Sequence, residues 1–258
     1  MRDTSARRKK IIELLNENGS VQVQQLSNLF DISTVSIRKD LKFLDQRGVV
    51  TRTYGGAFLN SENSETIESN IDLKEKLNVD SKCKIAQAAA DMICEGDSII
   101  LDSGTTTIRI AEQLHDKESI TVITNDLGAI NCIAKYSDVE LLVLGGTLRH
   151  KSMYFYGTQA EKTLKDLHAD KLFLGVDGFH MDKGITTHFE AEATLNQIMC
   201  RAASEVVVVA DSSKFNKVCL YKIIEPSGVS KLITDSGISD EFKDNLISMG
   251  IDVIVVDQ

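Results

Sequence analysis

The chain has 258 residues, 42% of them hydrophobic and 26% charged, with a net charge of −9 and five scattered cysteines. That length suits two domains, and the composition is that of an ordinary globular protein. No apolar run approaches the ~18 residues of a membrane span, and no Cys-x-x-Cys or secretory pattern occurs. A membrane protein and a disulfide scaffold are therefore excluded, and a cytoplasmic chain with reduced thiols is expected.

His188-Phe189-Glu190 mimics the His-x-Glu of zinc deaminases, but no Pro-Cys-x-x-Cys follows, so neither a metal nor a cofactor is expected. The acidic balance is uneven. Residues 1–56 carry ten Lys or Arg against six Asp or Glu, whereas the remainder carries 19 against 32. A basic module attached to an acidic body suggests that only one part meets a polyanion.

In chain order, Ser5 to Asn18 reads as a helix with Ile11, Ile12, Leu14 and Leu15 on its apolar face and Gly19 as its stop. Ser20 to Val23 leads into a second helix with core face Val23, Leu26, Leu29 and Phe30. A third helix runs from an N-cap at Ser33 to Gln46 and ends at Gly48. Its Ile37, Leu41 and Leu44 fall at i, i+4 and i+7, which leaves Thr34, Ser36, Arg38, Lys39 and Lys42 outward. Val49 to Thr53 alternates as a short strand, and Gly55-Gly56 closes the unit. Residues 1–57 thus predict a winged helix-turn-helix whose third helix enters the major groove of double-stranded DNA. Arg8, Lys10, Lys42, Arg52 and Tyr54 are expected to position the phosphate backbone, and Thr34, Ser36, Arg38 and Lys39 to lie nearest the bases. One such unit offers little contact area, so a homo-oligomer, dimer or tetramer, on repeated half-sites is expected.

Residues 58–80, rich in Ser, Glu and Asn, predict a linker. From residue 81 to 258, helices (81–94, 105–115, 126–135, 157–167, 190–204, 240–248) alternate with strands (97–102, 119–124, 139–144, 170–176, 206–210, 231–235, 251–256). Near-continuous apolar strands predict an α/β domain with a mainly parallel sheet covered on both faces. Ligands bind at the carboxyl ends of such strands.

Four loops leave those ends. Asp102-Ser103-Gly104-Thr105-Thr106-Thr107 opens a helix, where hydroxyls, free N–H groups and the helix dipole suit a phosphate; a plain capping turn is the alternative. Thr124-Asn125-Asp126 is another strand-to-helix junction, with Asn125 a candidate contact and Asp126 a cap. In Gly145-Gly146-Thr147-Leu148-Arg149 the glycines could admit a ligand and Arg149 clamp its phosphate, or the stretch is a tight turn. Gly175-Val176-Asp177-Gly178 offers Asp177 to sugar hydroxyls. Lys214, in Asp211-Ser212-Ser213-Lys214, is a second phosphate candidate or a surface lysine. Together with Glu190, these groups describe a pocket for a small phosphorylated polyol.

At this point the chain resembles the DeoR family of bacterial transcriptional repressors over nearly its whole length. The N-terminal resemblance lies in Leu26-Ser27-Asn28-Leu29-Phe30, Ser33 to Leu41, and Arg52-Thr53-Tyr54-Gly55-Gly56-Ala57. The C-terminal part is similar to that family's sugar-phosphate sensor through Asp102 to Thr107, Gly145-Gly146, Gly175-Val176-Asp177 and Asp211 to Phe215. Ser36 stands where Thr is usual and Tyr54 where His is usual. The resemblance implies a repressor of a carbohydrate operon, released by a phosphorylated sugar and not an enzyme. Three stretches, Ser20 to Val23, Tyr154 to Glu161 and Thr187 to Asn196, resemble the amino-sugar branch and imply an amino-sugar or tagatose phosphate. The sensor fold also resembles ribose-5-phosphate isomerase and glucosamine-6-phosphate deaminase. An enzyme with Glu190 or Glu192 as base and Lys214 steadying charge is therefore an alternative, as is an activator with a vestigial sensor. Against catalysis, Gly184-Ile185-Thr186-Thr187-His188 replaces the isomerase's lysine-and-glycine loop.

Overall fold

The computed structural model describes residues 4–18, 20–47, 49–52, 55–59 and 71–257. The chain forms two compact units, Met1–Ser69 and Asn70–Gln258.

In the first unit, α1 (Thr4–Asn18), α2 (Val23–Phe30) and α3 (Thr34–Gln46) pack with a three-stranded antiparallel sheet. Its strands are β1 (Ser20–Gln22), β2 (Val50–Arg52) and β3 (Gly56–Leu59), in the order β1-β3-β2. β1 differs from the expected lead-in to α2, because three residues are too few to show a readable alternation. Ile11, Leu15, Leu26, Phe30, Ile37, Leu41 and Leu44 form the core. Leu29, expected in that core, is instead 61% exposed. The turn between α2 and α3 is held at Asp31, whose φ of +52° is a left-handed conformation that Asp tolerates better than most residues. Ser27 fastens it, its hydroxyl donating to the Ile32 carbonyl at 2.6 Å. Ser33 caps α3, its Oγ accepting the Ser36 N–H at 3.3 Å. The glycines expected as stops, Gly19 and Gly48, lie outside the described residues.

A cluster of charges lies inside this apolar unit. Asp40 points inward from α3, and its two carboxylate oxygens accept from Arg7 Nε at 2.7 Å and Arg8 Nε at 2.8 Å. Asp40 and Arg7 are buried. The pair fixes α3, which carries the outward DNA-facing candidates, to α1.

The second unit opens with α4 (Ile71–Lys76) and α5 (Val79–Asp91). Residues 71–80, expected in the linker, therefore fall in this unit, 71–76 and 79–80 of them helical, while 60–70 lie outside the described residues. Its centre is a seven-stranded parallel sheet of β4 (Ser98–Leu101), β5 (Ile120–Thr124), β6 (Val139–Val143), β9 (Ala169–Leu174), β12 (Ala203–Val209), β14 (Lys231–Asp235) and β15 (Asp252–Val256). The order is β15-β14-β12-β9-β4-β5-β6. Alternate residues face opposite sides. Ile100, Leu172, Val206 and Val208 meet α8 (Thr158–Lys165), α9 (Glu190–Ala202) and α10 (Asp240–Ser248). Ile99, Leu101, Phe173, Val207 and Val209 meet α5, α6 (Thr105–Glu112) and α7 (Leu127–Ile133). A hairpin of β7 (Thr147–Arg149) and β8 (Tyr154–Tyr156) was not expected. Nor was the small antiparallel sheet of β10 (Gly178–His180), β11 (Gly184–Thr187) and β13 (Tyr221–Ile224).

Removing Asp40 takes from the buried Arg7 the carboxylate that it pairs with at 2.7 Å. Asp40→Ala should cost the first unit about 3–5 kcal/mol, read as lost amide protection in α1 and α3 of the full chain by hydrogen exchange. A loss below about 1 kcal/mol would mean that the contact behaves as a screened surface pair.

Candidate functional site

Two surfaces gather the candidate residues. On α3 of the first unit, Arg38, Lys39 and Lys42 are exposed and Thr34 and Ser36 half-buried, all off the face that carries Ile37, Leu41 and Leu44. Exposed Val35 adds an apolar group between Thr34 and Ser36. Arg8 is more enclosed than a phosphate contact requires. Beyond its bond to Asp40, its guanidinium lies 3.7 Å from the Phe43 ring centroid. Lys10 is exposed and pairs with Glu13 at 2.9 Å. Arg52 sits in β2, and Tyr54 lies outside the described residues.

The second surface is a cleft in the C-terminal unit. β4 leads through α6, β5 and α7 to β6 on one side, while β9, β12, β14 and β15 lie on the other. The loops after β4 and β9 therefore part company and leave a crevice at the strands' carboxyl ends. It is lined by residues 103–107, by Gly175, Val176 and Asp177, by Asp211, Ser213 and Lys214 after β12, and by Glu192 of α9. Lys74, Leu77, Asn78 and Lys82 complete it. The empty space is about 670 Å³ counting the open mouth.

Gly104 makes the turn into α6 at φ +152°, a value few side chains tolerate, and no side chain caps the helix. First-turn N–H groups are thus left for a ligand, beside Thr105, Thr106 and Thr107. The loop is held from below, since Gly104 N–H donates to Asp126 Oδ2 at 3.2 Å while Asp126 Oδ1 caps α7 through the Ala129 N–H at 2.9 Å. Asp177 pairs with Lys74 at 2.5 Å and accepts from the Thr187 hydroxyl at 3.2 Å. Asp211 accepts from Asn78 Nδ2 at 2.8 Å and from the Ser213 hydroxyl.

The charges in the cleft are strongly perturbed. Burial brings Lys82 down to about 8; Asp211 opposes this, and Lys214, Lys74 and Arg109 reinforce it. Lys214 is also lowered, first by burial, with Asp177 opposing and Lys74 reinforcing. Burial favours a neutral Asp177, but Lys74 and Lys214 outweigh it and hold that carboxyl at about 2. Glu192 goes the other way. Burial and then the Asp177 charge raise it to about 7 against Lys74 and hydrogen bonds from Tyr154, at 2.8 Å, and Thr187. Three lysines kept close together beside an uncapped helix end make a site suited to an anion.

Several expected contacts lie elsewhere. Asp102 is buried beneath the loop, takes the Asn196 Nδ2 at 3.4 Å, and is raised first by burial and then by Glu192. Asn125 is buried and donates to the Phe155 carbonyl at 2.9 Å, outside the cleft lining. Gly145 and Gly146 lead into the β7–β8 hairpin, outside the cleft lining. Gly146 has φ +152°, and a Cβ there would come 2.4 Å from the Tyr156 carbonyl oxygen. Arg149 lies 4.4 Å from the Phe189 ring centroid and bonds Ser152, away from the cleft lining. Glu190 is exposed, and Glu192 is the carboxylate that lines the cleft. The two are about 200° apart around α9, so only the helix's phase decides between them. Lys74 and Asn78 escaped notice inside the expected linker, and Lys82 at the start of the expected helix 81–94. Among the described residues no helix is long and apolar enough to cross a membrane, and no group of three or more His, Cys, Asp or Glu could hold a metal.

The DeoR-like helix-turn-helix domain profile matches residues 7–63, and the DeoR C terminal sensor domain profile matches residues 77–236. A protein of Escherichia coli O157:H7, named for repression of the aga operon, is 43% identical over 98% of this chain and 94% of its own length. The uncharacterised HTH-type transcriptional regulator YulB of Bacillus subtilis (strain 168) is 35% identical over 90% of this chain and 89% of its own. Among solved structures, ribose 5-phosphate isomerase A of Methanocaldococcus jannaschii aligns at TM-score 0.40 and 21% identity over 54% of this chain and 55% of that one. The chain belongs to the DeoR family of helix-turn-helix transcriptional regulators.

Proposed function

We propose that this protein represses a carbohydrate-utilisation operon and leaves its operator when a sugar phosphate, of the amino-sugar or tagatose class, occupies the cleft. The observation that carries the reading is the meeting of Lys74, Lys82 and Lys214 with the uncapped first turn of α6. A phosphate dianion would add negative charge among these three lysines, and Asp177 or Glu192 is within reach of a polyol or amine on the same molecule. The E. coli relative named for the aga operon supports the amino-sugar branch. Relatives named as regulators support the non-enzymatic reading. Operator binding is assigned to the outward face of α3 in a dimer or tetramer on repeated half-sites, so that paired contacts supply the affinity.

The direct test is a thermal-shift screen of the full chain with D-galactosamine, N-acetyl-D-galactosamine, D-tagatose and D-glucose 6-phosphates. A ligand at about 100 times its dissociation constant stabilises by roughly 2.7 kcal/mol; no shift with any of them would overturn the cleft assignment. Lys214→Met should weaken the best ligand by about 10- to 150-fold, the worth of a charged hydrogen bond of roughly 1.5–3 kcal/mol.

Affinity should also depend on pH in a defined direction. Lys82 loses its proton near pH 8 in the free protein, and a bound phosphate raises that value. Binding above pH 8 therefore takes up a proton, and affinity falls by up to about tenfold per pH unit. The ligand's own second ionisation, near pH 6, is complete by then, so a flat titration between about pH 7 and 9.5 would rule Lys82 out of the phosphate site.

On the DNA side, Arg38→Ala should cost about 1–3 kcal/mol of operator binding if the guanidinium reads a base edge, with the ligand-induced thermal shift unchanged. Unaltered binding in a gel-shift titration would remove Arg38 from the interface.

A further inference from the structure

Resting on that reading of the cleft, we propose that Lys74 is the residue through which the effector reaches the DNA-binding half. In the operator-binding form it holds Asp177, and on effector binding it exchanges that carboxylate for the phosphate and releases residues 71–78 from the strand-end loops.

The first argument is position. α4 is the first described element after residues 60–70, the stretch by which the chain arrives from the first unit, and its next residues line the cleft. The second is how the segment is held. A helix of six residues is far below the ~12–15 needed to persist alone, and Leu77 at its end is 51% exposed. Polar contacts to three loops keep it in place. Ile71 N–H donates to the Lys151 carbonyl at 3.3 Å, Lys74 pairs with Asp177 at 2.5 Å, and Asn78 donates to Asp211 at 2.8 Å. Lys82 in turn donates to the Lys74 carbonyl.

The third argument is competition. Two of those three contacts end on carboxylates that line the cleft, so a ligand there contends for the same oxygens. Asp177 cannot serve Lys74 and a sugar hydroxyl equally well at once, and Lys74 cannot serve Asp177 and a phosphate. The ligand therefore has unequal affinity for the latched and released arrangements, which is the condition for shifting their populations. Lys82 and Lys214, on α5 and after β12, do not cross-link residues 71–78 to a carboxylate in this way, and they anchor the anion in both forms.

The test uses the full chain and DNA fragments that it enriches from a random pool. Lys74→Met should mimic the effector, lowering operator affinity in its absence by roughly 5- to 150-fold, the ordinary span of allosteric coupling. The charge exchange Lys74→Asp with Asp177→Lys should restore operator binding, which a merely folded-state or ligand-contact role for Lys74 would not require. Hydrogen exchange on the wild-type chain, with D-galactosamine 6-phosphate and with inorganic phosphate as the anion alone, should slow at 103–107 and quicken at 71–78. Slowing at 103–107 with no change at 71–78, or a Lys74→Met variant with wild-type operator affinity, would overturn the relay and leave the cleft standing. No change at 103–107 with either probe would overturn both. If Lys74→Met fails to fold, the charge exchange and the wild-type measurement still decide.

Discussion

The cleft of the C-terminal unit depends on one topological constraint, the reversal of strand order beside β4. Because β4 and β9 are neighbours whose onward connections run to opposite sides, their terminal loops cannot cover each other. An opening at the centre of the sheet follows from connectivity before any side chain is chosen. What the sequence adds is the chemistry of the rim. Gly104 turns into a helix whose end no side chain caps, and Asp126 braces the loop from the adjoining strand end.

The electrostatics of that rim are costly for the protein alone. Amines in the cleft are pushed toward neutrality and Glu192 toward protonation, while Asp177 stays ionised because two of the amines surround it. Such a set of opposed charges is not an arrangement that stability alone favours, since burying ions is repaid only when every one is well paired. A fixed anionic group inside a cationic enclosure also gives a bound molecule two different ends to satisfy, which orients it.

How much of this was legible in the sequence varied with the kind of signal. The three helices of the first unit and the six central helices and seven strands of the second could be read because periodicity persists over many residues, as in Ile37-Leu41-Leu44 and the valines 206–209. Loops with helix-opening chemistry, 103–107 and 211–214, were also found, and they line the cleft. The failures have physical causes. Three-residue strands such as β7, β8 and β10 carry too little pattern to register. Glycines in Gly145-Gly146 signal close approach without saying to what, and the answer was the Tyr156 backbone. Glu190 and Glu192 differ only in helical phase. Asp40, a carboxylate inside an apolar helix face, was passed over because its partners Arg7 and Arg8 lie more than thirty residues away in sequence.

That last contact has a consequence for how binding preference can change. The groups that hold α3 in place (Ile37, Asp40, Leu41, Leu44) all point inward, and those facing outward (Arg38, Lys39, Lys42 and the exposed Val35) support nothing in the core. On the proposed assignment of operator contact to α3, orientation and vocabulary are carried by separate residues of one helix. Exchanging the outward set amounts to rewriting a label on a handle whose grip stays the same. New target sequences become reachable by surface changes that leave the folding of the unit, and the sensor beyond it, as they were.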